Sequence, residues 1–215
     1  MVYGYGNSDE PYALRSEAER EVRRRLLRAP HIAALTEFVD RLRIQTGRGL
    51  AIPYIDPLDG GVAAPCLLLL EAPGPRAVET GFVSRNNPDP AAKNMCLLLR
   101  EAGVPRKDTL LWNIVPWYLG AEGVIRPAKA GDIVEGLMHL LTLLPLLERL
   151  RSVVLLGRKA QSARASIAGF VTVPIFNTYH PANRVLNRRP KNRQLILREL
   201  KRVRAQLTNQ HPRKR

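Results

Sequence analysis

The sequence predicts an α/β fold built on a parallel sheet with helices on both faces. Three observations carry this. Four apolar runs of strand length, beginning at Cys66, Thr109, Ser152 and Val171, alternate with segments of helical periodicity. The first run, Cys66 to Leu70, is continuously apolar, as expected for a strand covered on both faces. Three runs lead into polar, turn-forming segments: Leu70-Glu71-Ala72-Pro73-Gly74-Pro75, Trp112-Asn113-Ile114-Val115-Pro116-Trp117 and Tyr179-His180-Pro181-Ala182-Asn183-Arg184. An acid, an amide, an imidazole and an arginine therefore converge on one sheet edge, where open α/β folds place their ligands.

The elements follow in order. Residues 1–15 read as a flexible arm. Ala18, Val22 and Leu26 recur at helical spacing, with five arginines between Ser16 and Arg28 on the other faces. After Pro30, a second helix places Leu35, Phe38, Val39 and Leu42 on one side and stops at Gly47. Residues 48–65 carry Pro53, Asp56-Pro57 and Asp59-Gly60-Gly61, a turn-rich connection.

The first predicted strand runs from Cys66 to Leu70. Asp89-Pro90 opens a helix, because Asp accepts from a free N–H and Pro fits the first turn; Gly103 closes it. A strand from Thr109 to Ile114 follows, then a helix from Asp132 that is interrupted near Pro145. Ser152 to Leu156 is the third strand, ending at Gly157, and a short helix reaches Ala168. The fourth strand is predicted from Val171 to Phe176. The last helix presents Ile196, Leu200, Val203 and Leu207 on one face and bases elsewhere. This divides the chain into an arm, one domain over 16–207 with a helical extension at 16–47, and a basic tail over 208–215.

Length and composition fit a single soluble globular domain, at 45% hydrophobic and 25% charged residues. The net charge of +15 is unusual and unevenly placed. From Arg184 to Arg215, twelve Lys or Arg face the single acid Glu199, a net +11. That concentration points to a polyanion, nucleic acid ahead of an acidic membrane surface. Cys66 and Cys96 cannot by themselves make a four-cysteine metal site, and they read as buried free thiols in a reducing, cytoplasmic interior. Met1 to Glu10 does not resemble a signal peptide, and Leu137 to Leu147 is too short and too interrupted to span a bilayer.

At the strand ends each polar residue admits two readings. Glu71, at the end of a buried strand, is paired or catalytic, because lone desolvation is costly; otherwise it caps a nearby helix. The Asn113 amide donates and accepts, which suits the edge of a pyrimidine, or it satisfies loop backbone. His180 donates to a developing oxyanion or ties down the turn before Pro181. Phe82, in Gly81-Phe82-Val83-Ser84-Arg85-Asn86-Asn87, stacks on a base or fills the core. Their coincidence at successive strand ends favours the functional reading.

The ordered set Glu71-Ala72-Pro73-Gly74, Phe82-Val83, Asn113 and His180-Pro181-Ala182 resembles the uracil-DNA glycosylase superfamily over about residues 64 to 200. It is most similar to the branch whose motifs read Gly-Glu-Ala-Pro-Gly and His-Pro-Ser or His-Pro-Ala. The resemblance implies a three-layer α/β/α sandwich around a four-stranded parallel sheet. It also implies roles. Phe82 would stack on a flipped uracil beside the Ala72, Pro73 and Gly74 turn, and Asn113 would read its N3 and O4 edge. His180 would donate to O2 as charge develops, and Glu71 would orient the attacking water or offset charge on the sugar. Asn183 and Arg184 would enter the duplex, with Ser84, Arg85, Arg188 and Arg189 also contacting DNA.

The chain departs from the pattern at three positions. Leu70 stands where the motif usually has glycine, Ala72 where other branches carry a water-activating Asp or Asn, and Gly74 where the most uracil-selective branch has a tyrosine. The cysteines of the iron-sulfur branch are absent, so neither cofactor nor metal is expected. The implied activity is a monofunctional uracil-DNA glycosylase, working as a monomer on single- or double-stranded DNA. Two readings compete with it: a nucleic-acid reader with weak catalysis, to which Ala72 lends support, and a hydrolase of free nucleosides, which has no need of so much positive charge.

Overall fold

A computed structural model of the protein describes residues 9–121 and 124–209. Helices α1 (Glu17–Leu26) and α2 (Ala33–Thr46) precede a short strand β1 (Tyr54–Ile55). Then come β2 (Cys66–Leu70), α3 (Pro75–Thr80), β3 (Phe82–Val83), α4 (Pro90–Glu101) and β4 (Thr109–Asn113). A small hairpin, β5 (Gly120–Ala121) and β6 (Val124–Ile125), leads to α5 (Ala130–Leu143) and β7 (Ser152–Leu156). The chain finishes with α6 (Arg158–Ser162), α7 (Arg164–Ala168), β8 (Ile175–Thr178), α8 (Asn183–Arg188) and α9 (Lys191–Asn209).

The central sheet has the order β4-β2-β7-β8 with every neighbour parallel, and helices flank it. It is the four-stranded α/β/α arrangement that the sequence predicts. β2, β4 and β7 are buried almost throughout because helices cover both faces. Phe38 of α2 meets Trp112 of β4 edge-on, with ring centroids 5.9 Å apart. α9 lies against β7 and β8 through the fully buried Ile196, Leu200 and Val203. Asp89 caps α4 as expected, its carboxylate accepting from the Ala92 N–H at 2.9 Å. Both cysteines are buried free thiols, and burial pushes the Cys66 thiol up to about 12. Among the described residues, no helix is long and apolar enough to cross a membrane.

Three expectations need correction. The fourth strand runs from Ile175 to Thr178, not from Val171 to Phe176. The Val171 N–H turns back to Ile167 O, and Pro174 has no N–H to give the ladder, so pairing with β7 starts at Ile175 opposite Val153. The strand therefore ends two residues before His180.

Residues 9–15 are not a loose arm. Leu14 is fully buried, its N–H donating to Asn86 O at 3.2 Å, and Arg106 donates to the Asp9 carboxylate at 2.7 Å. Residues 1–8 of the predicted arm and 210–215 of the predicted tail lie outside the described residues, while α9 carries residues 208 and 209.

Ser84 and Arg85, expected on DNA, are buried instead. They join a network that the connection over 48–65 builds at the amino end of β4. β1 pairs in parallel with β3, Tyr54 opposite Phe82, and brings Asp56 to the Ser84 hydroxyl, which donates to it. Arg106 bridges Asp56 at 2.7 Å and Asp59 at 3.1 Å; Arg85 lies 3.6 Å from Asp59 and donates to the Thr109 hydroxyl. Arg23 of α1 joins it, 3.4 Å from Asp56. Charges this deep are tolerable only when paired and hydrogen-bonded, so Arg85 is committed to the interior.

Candidate active site

The site is built from the segments that leave the carboxyl ends of β2, β4, β7 and β8. Leu70 and Asn113 stand opposite each other in the β2–β4 register. Backbone pairing continues past both strands, with Ile114 N–H donating to Leu70 O and Val115 N–H to Glu71 O, each at 2.9 Å. Glu71 and Asn113 are thereby held on adjacent strand ends. Helix α5 backs this segment closely: a Cβ at Gly136 would fall 2.0 Å from Ile114 O, so only glycine permits the approach.

Asn113 is buried, and among the described residues its Nδ2 has no hydrogen-bond partner. A buried amide N–H without a protein partner costs about 1–3 kcal/mol, which makes Asn113 a candidate binding residue at this strand end. The half-buried Glu71 accepts from the Ala128 N–H at 2.8 Å through Oε1. In the turn that follows, Ala72 is half-buried, Pro73 is buried, and Gly74 is exposed with open space where a side chain would stand. Phe82 is buried in β3 yet is not part of the main apolar core; the Asn87 amide donates to its carbonyl at 2.8 Å and fixes the segment.

His180 leaves β8 half-buried. Its Nδ1 accepts from the Ala182 N–H at 3.1 Å, which assigns the proton of the neutral ring to Nε2. Burial holds its pKa below the ordinary histidine value, the Arg184 guanidinium reinforces this, and the Glu71 carboxylate opposes it. The ring rests on Gly157 at the end of β7, where φ is +92° and a Cβ would stand 3.0 Å from His180 Cβ. His180 is therefore a neutral Nε2–H donor on the sheet edge that also carries Asn113 and Glu71.

The uracil DNA glycosylase superfamily model matches residues 59–201. The chain belongs to the uracil DNA glycosylase superfamily. No curated protein matches it. The superfamily region includes Glu71, Phe82, Asn113 and His180, whereas Arg23 and Asp56 lie before it. In this superfamily member the helical N-terminal segment is thus fastened to the matched region through buried charge.

The remaining predicted residues divide by exposure. Asn183, Arg184, Arg188 and Arg189 are exposed on and just after α8, on the side of the site that His180 opens. Ser84 and Arg85 are withdrawn into the network described above. Three supporting residues have no sequence signal of their own. Asn94 of α4 donates to Pro181 O and to the Asn183 side chain, both at 2.8 Å. Asn192 donates to Val185 O at 2.8 Å and holds α8 onto α9. Lys159 donates to Ala128 O at 2.5 Å. Gly157 had a signal, a glycine closing an apolar strand, but its contact with the distant His180 appears only in the fold.

Proposed function

We propose that the protein is a monofunctional DNA glycosylase that extrudes uracil, and related deaminated bases, from DNA and hydrolyses the N-glycosidic bond. The observation that carries this reading is the buried Asn113 amide with its unpartnered Nδ2. A flipped uracil offers that donor its O4, while its N3–H is available to the Asn113 carbonyl oxygen.

The chemistry follows from the donor set. As the bond between C1′ and N1 breaks, its electron pair passes to the base and charge gathers at O2. The neutral His180 ring presents Nε2–H to that oxygen, a preorganised donor whose direction is set by the Ala182 bond. Water adds to C1′ and its proton passes to the departing uracil anion, leaving an abasic site and free uracil. Glu71, with Oε1 engaged by Ala128, keeps its second oxygen for that water or for the cationic sugar. Phe82 supplies the stacking surface once the entering base uncovers its ring, which is 1% exposed. Extrusion costs a few kcal/mol, offset by the pocket and by phosphate contacts from Arg184, Arg188 and Arg189.

A second reading, a base reader with little catalysis, is favoured by Ala72 and by the hydrogen bond that occupies Glu71. One assay separates the two. Uracil-containing single- and double-stranded oligonucleotides are incubated with the protein and then treated with alkali. The glycosylase reading expects breaks at uracil that vanish in Asn113→Ala and His180→Ala and fall sharply in Glu71→Ala. Retained binding with no alkali-labile site establishes the reader and overturns the enzyme.

A further inference from the structure

The hydrogen bond that occupies Glu71 does not end at its partner. Ala128 is 1% exposed and is gripped from two sides. Its N–H donates to Glu71 Oε1 at 2.8 Å, and its C=O accepts from Lys159 Nζ at 2.5 Å. One residue of the segment entering α5 is thus held between a carboxylate on the β2 end and an ammonium on α6. Lys159 sits two residues past Gly157, the glycine on which His180 rests. The short turn after β7 therefore supports His180 directly and reaches Glu71 through Ala128.

A carboxylate held by one backbone N–H is only as well placed as the loop that carries that N–H. The 126–129 segment is a connection between a two-residue strand and a helix, with little ladder pairing of its own. A charge-assisted bond to a carbonyl is stronger than a neutral one, and here it anchors the loop to α6. We propose that Lys159 is a positioning residue for Glu71, acting through Ala128. It fixes the direction of the free carboxylate oxygen and takes no part in base recognition, which belongs to Asn113 and His180 on other strand ends. This inference rests on the catalytic role given to Glu71 above.

The test is a double-mutant cycle on a uracil-containing single-stranded oligonucleotide, with KM from steady-state runs and the chemical step from single-turnover runs. Lys159→Ala is expected to lower kcat about ten-fold with KM unchanged, the penalty for a misaligned group. Lys159→Arg, which preserves a cationic donor at that reach, restores most of the rate; a melting temperature for each variant shows that it is folded. In the Glu71→Gln background, Lys159→Ala lowers the single-turnover rate no further. A ten-fold loss repeated in that background, or a rise in KM with kcat intact, overturns the proposal while leaving Glu71 catalytic. Glu71→Gln at the full wild-type rate overturns the role of Glu71 itself, and the two failures are distinguished because that single variant reveals the second without Lys159.

Discussion

The backbone N–H of Ala182 donates to Nδ1 of His180 at 3.1 Å, so the imidazole that faces the site carries its proton on Nε2. The bond is local, two residues along the chain, yet it sets what the ring can do: donate from the neutral state without first acquiring a proton.

The pH dependence follows from that arrangement. Burial and Arg184 depress the His180 pKa below the ordinary value, so the neutral donor persists to a pH lower than a free histidine allows. Protonation begins only as pH falls through the depressed value, and it breaks the Ala182 bond by placing hydrogens on both nitrogens. The kcat/KM profile for uracil release is therefore expected to stay level down to a pH below about 6.5. A His180 limb at or above that pH, absent from His180→Asn, counts against the assignment.

Asn113 offers a clean separation of function from stability. Because its Nδ2 has no partner among the described residues, Asn113→Ala deletes no hydrogen bond at that atom and should leave the unfolding free energy unchanged or raise it by up to about 1–3 kcal/mol. The same change should slow uracil release by about 100-fold or more, on the scale of losing one preorganised donor. Urea denaturation alongside single-turnover kinetics reads both quantities. Equal damage to stability and rate means that the amide serves the fold.

The buried charge network predicts the opposite pattern at Arg106. Arg106→Met leaves Asp56 and Asp59 without their shared cation, which should cost about 3–5 kcal/mol in urea unfolding. Arg193→Met, which removes an exposed pair with Glu101, should cost less than about 1 kcal/mol. Despite its burial, Asp56 has a carboxyl held below the usual carboxylate range by Arg106 and Arg23. Its contribution is therefore complete above the unfolded-state value and is lost as pH falls below it. If Arg106→Met leaves the protein as stable as the parent at pH 7, the network holds nothing together.

Salt dependence should divide the C-terminal bases into two groups. Arg184, Arg188 and Arg189 are exposed beside the site, whereas Arg193 and Arg204 are ion-paired with Glu101 and Asp108. Replacing the first three with Ala is expected to reduce the slope of log K against log salt by up to about 3, near one for each phosphate no longer neutralised. Replacing Arg193 and Arg204 should change it far less. Fluorescence anisotropy on a labelled duplex measures both, and equal slopes in the two variants would remove α8 from the DNA interface.

Much of this protein is legible in its residue order because local physics sets it. Continuous apolar runs make buried strands, Asp89-Pro90 starts α4, and Gly157 ends β7, all through interactions within a few residues. The candidate site residues at the strand ends follow from the same logic, since a parallel sheet gathers its carboxyl ends on one edge. The tertiary structure alone decided how the remaining charges are used. Arg85 looks from its neighbours like a DNA contact, but Asp59, from the far side of β2, captures it in the interior. Pro174 delayed the last strand, because the missing N–H matters only once β7 is alongside. The Glu71–Ala128–Lys159 link likewise joins three segments separated by 57 and 31 residues. Periodicity and caps report what a segment does by itself; a buried charge or a loop carbonyl is assigned only when the folded chain brings its partner into contact, because only there is water excluded and the pairing enforced.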